Sequence, residues 1–170
     1  IPIYMDKNKK LIPGPIFHEH IKAHPQTQIH KDALAVNKIK PDHPFRFAID
    51  EYDMLTQLKQ FIADVLKQHQ CNKAIITGHN VTFDLNFIHA ACARHDFKLN
   101  QLHTFSCLDT VTMGAMCYGE TILARVVQAA GLYFNHDQAH SALYDTKMTA
   151  QLFCHIINHL DQKVSSTTQS

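Results

Sequence analysis

Two short strings in this chain combine residue types that hydrolytic chemistry uses. His140-Ser141-Ala142-Leu143-Tyr144-Asp145 sets an imidazole a few residues before a carboxylate. A neutral imidazole takes a proton near neutrality, and a carboxylate beside it can hold a metal ion or orient the ring. Were both residues helical, steps of about 100° would set them roughly 140° apart, on different faces. They converge only if His140 lies on a loop and Asp145 in the first turns of the helix that follows. Ser141 is a good residue to cap that helix. Gly78-His79-Asn80-Val81-Thr82-Phe83-Asp84 carries a second carboxylate. It falls where a buried strand should give way to a helix, the end at which α/β sheets bind ligands. Each string also has a plainer reading: a surface histidine with a helix-start aspartate, and a turn asparagine with a capping aspartate.

The elements that must position these residues follow from periodicity. Ile3-Tyr4-Met5 and Ile16-Phe17-His18 flank a polar turn, Asp6 to Lys10, and predict a hairpin. An irregular connection from Lys22 to Phe47 is broken by Pro25, Pro41 and Pro44, with one short helix over Asp32 to Val36. From Asp50, its expected N-cap, an amphipathic helix repeats Met54, Leu55, Leu58, Phe61, Ile62, Val65 and Leu66 on one face. Lys73 to Thr77 reads as a buried strand, Phe83 to Arg94 as helix and Thr104 to Leu108 as a second strand. Thr110 to Cys117 and Leu123 to Ala130 read as helices, the latter stopped by Gly131. The last helix should run from Ser141 to Leu160, with Leu143, Ala150, Phe153, Ile157 and Leu160 on one face and a frayed tail from Ser165. A hairpin followed by alternating strands and helices makes an α/β domain, here residues 1–163 with a flexible tail over 164–170.

Composition narrows the classes. The 170 residues, 45% hydrophobic, suffice for one core. Sixteen basic against 15 acidic side chains leave a net charge of +1, so any nucleic-acid site must be a local patch. Five cysteines without a CxxC pair argue against a disulfide framework and suit a reducing, cytoplasmic setting. No apolar stretch approaches the roughly 20 residues a membrane helix needs.

Taken together, the strings HN-x-x-FD and H-x-A-x-x-D match the second and third motifs of the DEDDh 3′→5′ exonucleases. Leu108-Asp109-Thr110 between them fits as well. Within that family the chain most resembles the ribonuclease T group, through Cys71-Asn72-Lys73-Ala74-Ile75, Ala139 to Thr146 and Leu152-Phe153-Cys154. The similarity extends from the hairpin to about His159. It implies an RNase H-like exonuclease domain, a mixed sheet flanked by helices, and a homodimer that trims the 3′ ends of tRNA and other stable RNAs. It also implies two Mg²⁺ ions, with Mn²⁺ as an alternative, about 3.5–4 Å apart at the scissile phosphate. By motif position Asp84 and Asp145 hold metal, with their carboxylates within about 8 Å of each other. His140 takes the proton from the attacking water and should be mobile and partly exposed. Phe83 and Phe105 match residues that stack on the 3′-terminal bases; Lys67, Lys73 and Lys98 match residues that grip the backbone, reaching from one subunit to the other's site.

Two departures qualify the resemblance. Val36 stands where the group has a further stacking phenylalanine. The family's first motif, Asp-x-Glu on its first strand, occurs nowhere in this sequence, which implies that the native polypeptide carries that strand upstream of Ile1. Whether the enzyme also degrades single-stranded DNA stays open, as do three other readings: a catalytically dead nucleic-acid-binding module, a proofreading-type DNA exonuclease, and a zinc or metal-storage protein. The last draws on 14 histidines and the pair in His18-Glu19-His20.

Overall fold

The fold is that of a computed structural model, which describes residues 1–41 and 43–167, with side chains through Leu160. The chain opens with an antiparallel hairpin, β1 (Ile3–Met5) and β2 (Leu11–Pro13). Its second strand is not the expected Ile16 to His18. One carboxylate oxygen of Asp6 accepts from the N–H groups of both Asn8 and Lys10, at 2.8 Å each, so the chain reverses tightly and pairing resumes at Leu11. Pro13 then ends the strand. The backbone of β2 is tied to α6 by the Asn158 side chain, which accepts from the Leu11 N–H (2.8 Å) and donates to its carbonyl (3.0 Å).

The irregular connection contains β3 (His20–Ile21), α1 (Lys31–Asn37) and β4 (Ala48–Ile49), with β3 and β4 paired in parallel. The amphipathic helix α2 (Glu51–Gln68) follows with Leu55 fully buried. Asp50 occupies its N-cap position, but the carboxylate caps no helix N–H and pairs with Lys22 Nζ at 3.1 Å instead. A βαβ unit comes next: β5 (Ala74–Gly78), α3 (Val81–Arg94) and β6 (Leu102–Asp109), the strands parallel. Glu51, at the start of α2, accepts from Arg94 and meets His95 Nε2 at 3.0 Å, clamping α2 to the end of α3.

Three helices complete the domain: α4 (Thr110–Tyr118), α5 (Leu123–Ala129) and α6 (Ala142–Thr167), with a 3-10 turn at His136–Gln138. The principal core joins α5 and α6: Val126 and Val127 pack with Phe134, Met148, Leu152 and Ile156. Gly114 of α4 lets that helix approach closely, since a Cβ there would lie 2.7 Å from Val126 Cγ1. Two expectations about the last helix change. It continues to Thr167 rather than stopping at Leu160, so the proposed tail is helical as far as 167, and 168–170 lie outside the described residues. Its buried set wraps more than one stripe, taking in Met148, Thr149, Leu152, Cys154 and Ile156, while Leu160 is exposed. A helix packed against α4, α5, β2 and β5 has partners on several sides.

The sheet is mixed, as the sequence suggests, but among the described residues it is divided into three two-stranded ladders, one antiparallel and two parallel. The βαβ ladder matters most for function. Its carboxyl end, at Gly78 and Asp109, delivers the chain into α3 and α4 at the same place.

Candidate active site

Gly78 and Asp109 are register partners at the carboxyl end of β5 and β6. There the chain turns sharply: a Cβ on Gly78 would sit 3.0 Å from the backbone of Val81, so only glycine fits without displacement. Asn80 adopts a left-handed conformation (φ 64°, ψ 53°), which asparagine tolerates better than most residues. Asp109 holds the turn from across the ladder. Its Oδ1 accepts from Asn80 N–H (3.0 Å) and Val111 N–H (2.8 Å), and its Oδ2 from Val81 N–H (3.0 Å). One carboxylate thus caps α4 and fixes the approach to α3. This positions Asp84 in the first turn of α3.

His79 lies in the same turn. Its Nε2 is 2.9 Å from the Thr121 carbonyl and its Nδ1 is 3.0 Å from Thr110 Oγ1, whose hydroxyl is also 3.1 Å from the Gly78 carbonyl. The buried Thr110 therefore ties the two strand ends to the histidine. From the other side comes the start of α6. The Ser141 carbonyl accepts the Asp145 N–H at 2.9 Å, the first turn of the helix, as the Ser141 boundary implied. His140, just before it, is exposed and left-handed at φ 67°. Histidine enters this region more readily than most side chains, and here it turns the chain into α6.

The electrostatics link these pieces. Burial pushes the Asp145 carboxyl above its usual range, while the charge and backbone N–H of His140, and more weakly the charge of His79, pull it down. Asp145 therefore lies within the field of both histidines, bringing the second motif's turn and the third motif's helix to one end of the βαβ ladder. Burial likewise raises the pKa of Asp84, partly opposed by its own backbone N–H, with the neighbouring charge of Asp109 adding to the rise. Asp84 as a whole residue remains exposed, so this crowding falls on the carboxyl from one side only. Among the described residues no other side chain donates a hydrogen bond to Asp84 or Asp145.

Two partly desolvated carboxylates that no side chain among the described residues bonds suit a hard cation, since oxygen is the ligand that Mg²⁺ and Mn²⁺ prefer. Among the described residues no group of three or more His, Cys, Asp or Glu is placed to hold an ion. The His18 and His20 rings do meet edge-on at 5.2 Å, but that pair gains no third ligand.

The aromatic and basic residues are distributed differently. Phe83 is 60% exposed, and its ring lies 5.0 Å from that of Phe87, one turn further along α3. Phe105 is 85% exposed where β6 bulges: between the pairs Ala74–Leu102 and Ile76–Cys107, β5 has one residue and β6 has four, His103 to Ser106. Lys67 ends α2, Lys73 precedes β5 and Lys98 precedes β6, so all three sit at the amino end of the ladder, opposite Asp84. Lys73 Nζ also donates to the Asn100 carbonyl. Within one chain these lysines cannot crowd the carboxylates. Sequence reasoning left out Asp109, His79 and Thr110 as positioning residues; an aspartate directly before a helix was the available signal for the first. Val36, at the expected stacking position on α1, is 55% exposed.

Among the described residues no helix is long and apolar enough to cross a membrane. The family of exonucleases of the RNase T type matches residues 1–153, which takes in both motif strings and the βαβ unit that joins them. Enzymes of that family generally use divalent metal ions, and their substrates are nucleic acids. The chain therefore belongs to the RNase T exonuclease family and carries its mixed α/β, RNase H-like domain.

Proposed function

We propose that this chain is the catalytic domain of a 3′→5′ exoribonuclease that trims the 3′ ends of tRNA and other stable RNAs. The observation that supports the reading is that Asp145 feels the charge of both His140 and His79, the latter in the turn that leads to Asp84. Asp84 and Asp145 would hold the divalent cation, Mg²⁺ or Mn²⁺, with their carboxylates within about 8 Å of each other and water or phosphate oxygens completing its shell. A bound ion of this kind supplies charge neutralisation at the phosphate and lowers the pKa of water. His140, exposed on its loop, accepts the proton of the attacking water through its ring nitrogen. His79, Thr110 and Asp109 keep the turn that carries Asp84 in place. Phe83 and Phe105 offer exposed rings on which unpaired 3′-terminal bases stack.

Lys67, Lys73 and Lys98, at the far end of the ladder, serve the site of a second subunit, which makes the active species a homodimer. Five unpaired cysteines suit a cytoplasmic location. The test uses the full-length protein, 5′-labelled tRNA bearing a 3′ extension, and Mg²⁺ or EDTA. Stepwise shortening from the 3′ end in Mg²⁺, absent in EDTA and slower on single-stranded DNA, is the expected result. Preferred shortening of DNA would favour the proofreading class. Binding of RNA without any shortening would favour a binding module that has lost catalysis.

A further inference from the structure

A cleft of about 680 Å³ opens beside the start of α6, with His140, Ser141, Ala142 and Leu143 of one motif string on its wall. Its size is within the range of about 300–1,000 Å³ that holds small ligands. On one side are the start of α6 and His140; on the other is the connection from α1 to β4, which contributes Lys38, Lys40, Phe45 and Arg46. Three cations thus converge on a space that has Glu19 as its acidic wall residue. Among the described residues none of the three is paired with a carboxylate. Lys38 Nζ donates to the Asp137 carbonyl at 3.4 Å, and Arg46 Nη2 to the Ile21 carbonyl at 3.1 Å. Carbonyl acceptors orient these groups without cancelling their charge. Phe45, 76% exposed, stands at the same wall with its ring 5.9 Å from that of His43.

Cations gathered in a cleft concentrate anions. The chain's net charge is only +1, so this is a local feature and not a consequence of a basic protein. We propose that the cleft is the track for the phosphodiester backbone of a single-stranded nucleic acid just upstream of the 3′ end presented to His140. Lys38, Lys40 and Arg46 take its phosphates and Phe45 stacks on one of its bases. The proposal rests on the nuclease reading and adds to it the path of the substrate within one chain, on a wall separate from Phe83, Phe105 and the three lysines at the far end of the ladder.

Binding alone tests it. A 5′-fluorescein oligouridylate of about 12 nucleotides, inside the span of common single-strand sites, is titrated in EDTA by anisotropy at several salt concentrations. Lys10 provides the comparison: Leu11 bonds Asn158, which lies fifteen residues along α6 from Leu143, roughly 22 Å away. The expected result is that Lys38→Ala/Lys40→Ala weakens binding about tenfold or more. It should also flatten the plot of log K against log salt by about 1.4, since each lost phosphate contact removes about 0.7. Phe45→Leu should weaken binding several-fold with the slope unchanged, and Lys10→Ala should match wild type. Wild-type binding with the double variant indistinguishable from it overturns the track and leaves the nuclease reading intact, as does an equal loss in Lys10→Ala. Wild type that binds polyglutamate as tightly as oligouridylate points to an acidic protein partner and overturns it too. No oligouridylate binding by wild type defeats the nuclease reading itself.

Discussion

At Asp84 and Asp145 the folded protein disfavours the charged form, because burial strips water from each carboxylate with little hydrogen bonding to compensate. Their folded pKa values lie above the usual 3.8. Over the window from there upward the folded state binds more protons than the unfolded one, so stability falls as pH rises through it. Two consequences follow. Asp84→Asn/Asp145→Asn should melt at a higher temperature than wild type at neutral pH in EDTA. Mg²⁺ or Mn²⁺ should raise the Tm of wild type but not of this variant, because only a protein that binds the ion gains from it. A wild-type Tm indifferent to both ions in a calorimeter would remove Asp84 and Asp145 as ligands. His140 offers a kinetic counterpart. With its ring exposed on a loop, His140→Ala should lower kcat by about 10²–10⁴ and leave RNA affinity nearly intact. Activity within a few-fold of wild type would exclude it as the base.

The elements that carry these residues are held by polar groups at their ends. Asp109 serves three backbone N–H groups across β5, α3 and α4. Asp109→Ala leaves those donors without partners, so it should cost about 1–3 kcal/mol in urea unfolding and reduce activity through the displaced turn. A loss in activity with no loss in stability would point to a direct role at the substrate. Glu51 plays the corresponding part between α2 and α3. Arg94, and then His95, hold its carboxyl below the usual 4.5 against the opposing effect of burial. A depressed folded pKa means a contribution fully present above the unfolded value and lost as pH falls through the folded one. Wild type should therefore lose stability on acidification below about pH 4.5 more steeply than Glu51→Gln, in urea titrations at matched ionic strength.

The lysines set a question only the whole molecule answers. Lys67, Lys73 and Lys98 stand at the opposite end of the βαβ ladder from Asp84. At about 3.3 Å per residue a strand of five residues separates the two ends by roughly 15 Å. If the lysines act on a partner subunit's substrate, a protein with His140→Ala and one with all three lysines changed to Ala should each be impaired. Mixed and allowed to exchange subunits, they should recover activity above the sum of the two, in an assay of RNA shortening. No recovery, in a protein that light scattering shows to be dimeric, would assign the lysines to their own chain or to no substrate.

The local content of the two motif strings is legible in the order of the residues alone. Ser141 as a helix boundary, Gly78 as a turn and the alternation of apolar segments are decided by neighbours in sequence, through backbone sterics and period. The amphipathic stripe of α2 is readable for the same reason, since one face meets the core and the other meets water. The hairpin register is not, because it depends on the Asp6 carboxylate gathering two N–H groups rather than on the apolar pattern. Nor is the wide buried arc of α6, which reflects how many elements pack on it. Tertiary structure alone brings His79 into the field of Asp145, puts Asp109 beneath the turn that bears Asp84 and sets Lys38, Lys40 and Arg46 around one cleft beside His140. Those relations join residues far apart in the chain, where electrostatic and hydrogen-bond energies depend on distance in space and sequence spacing carries no measure of it.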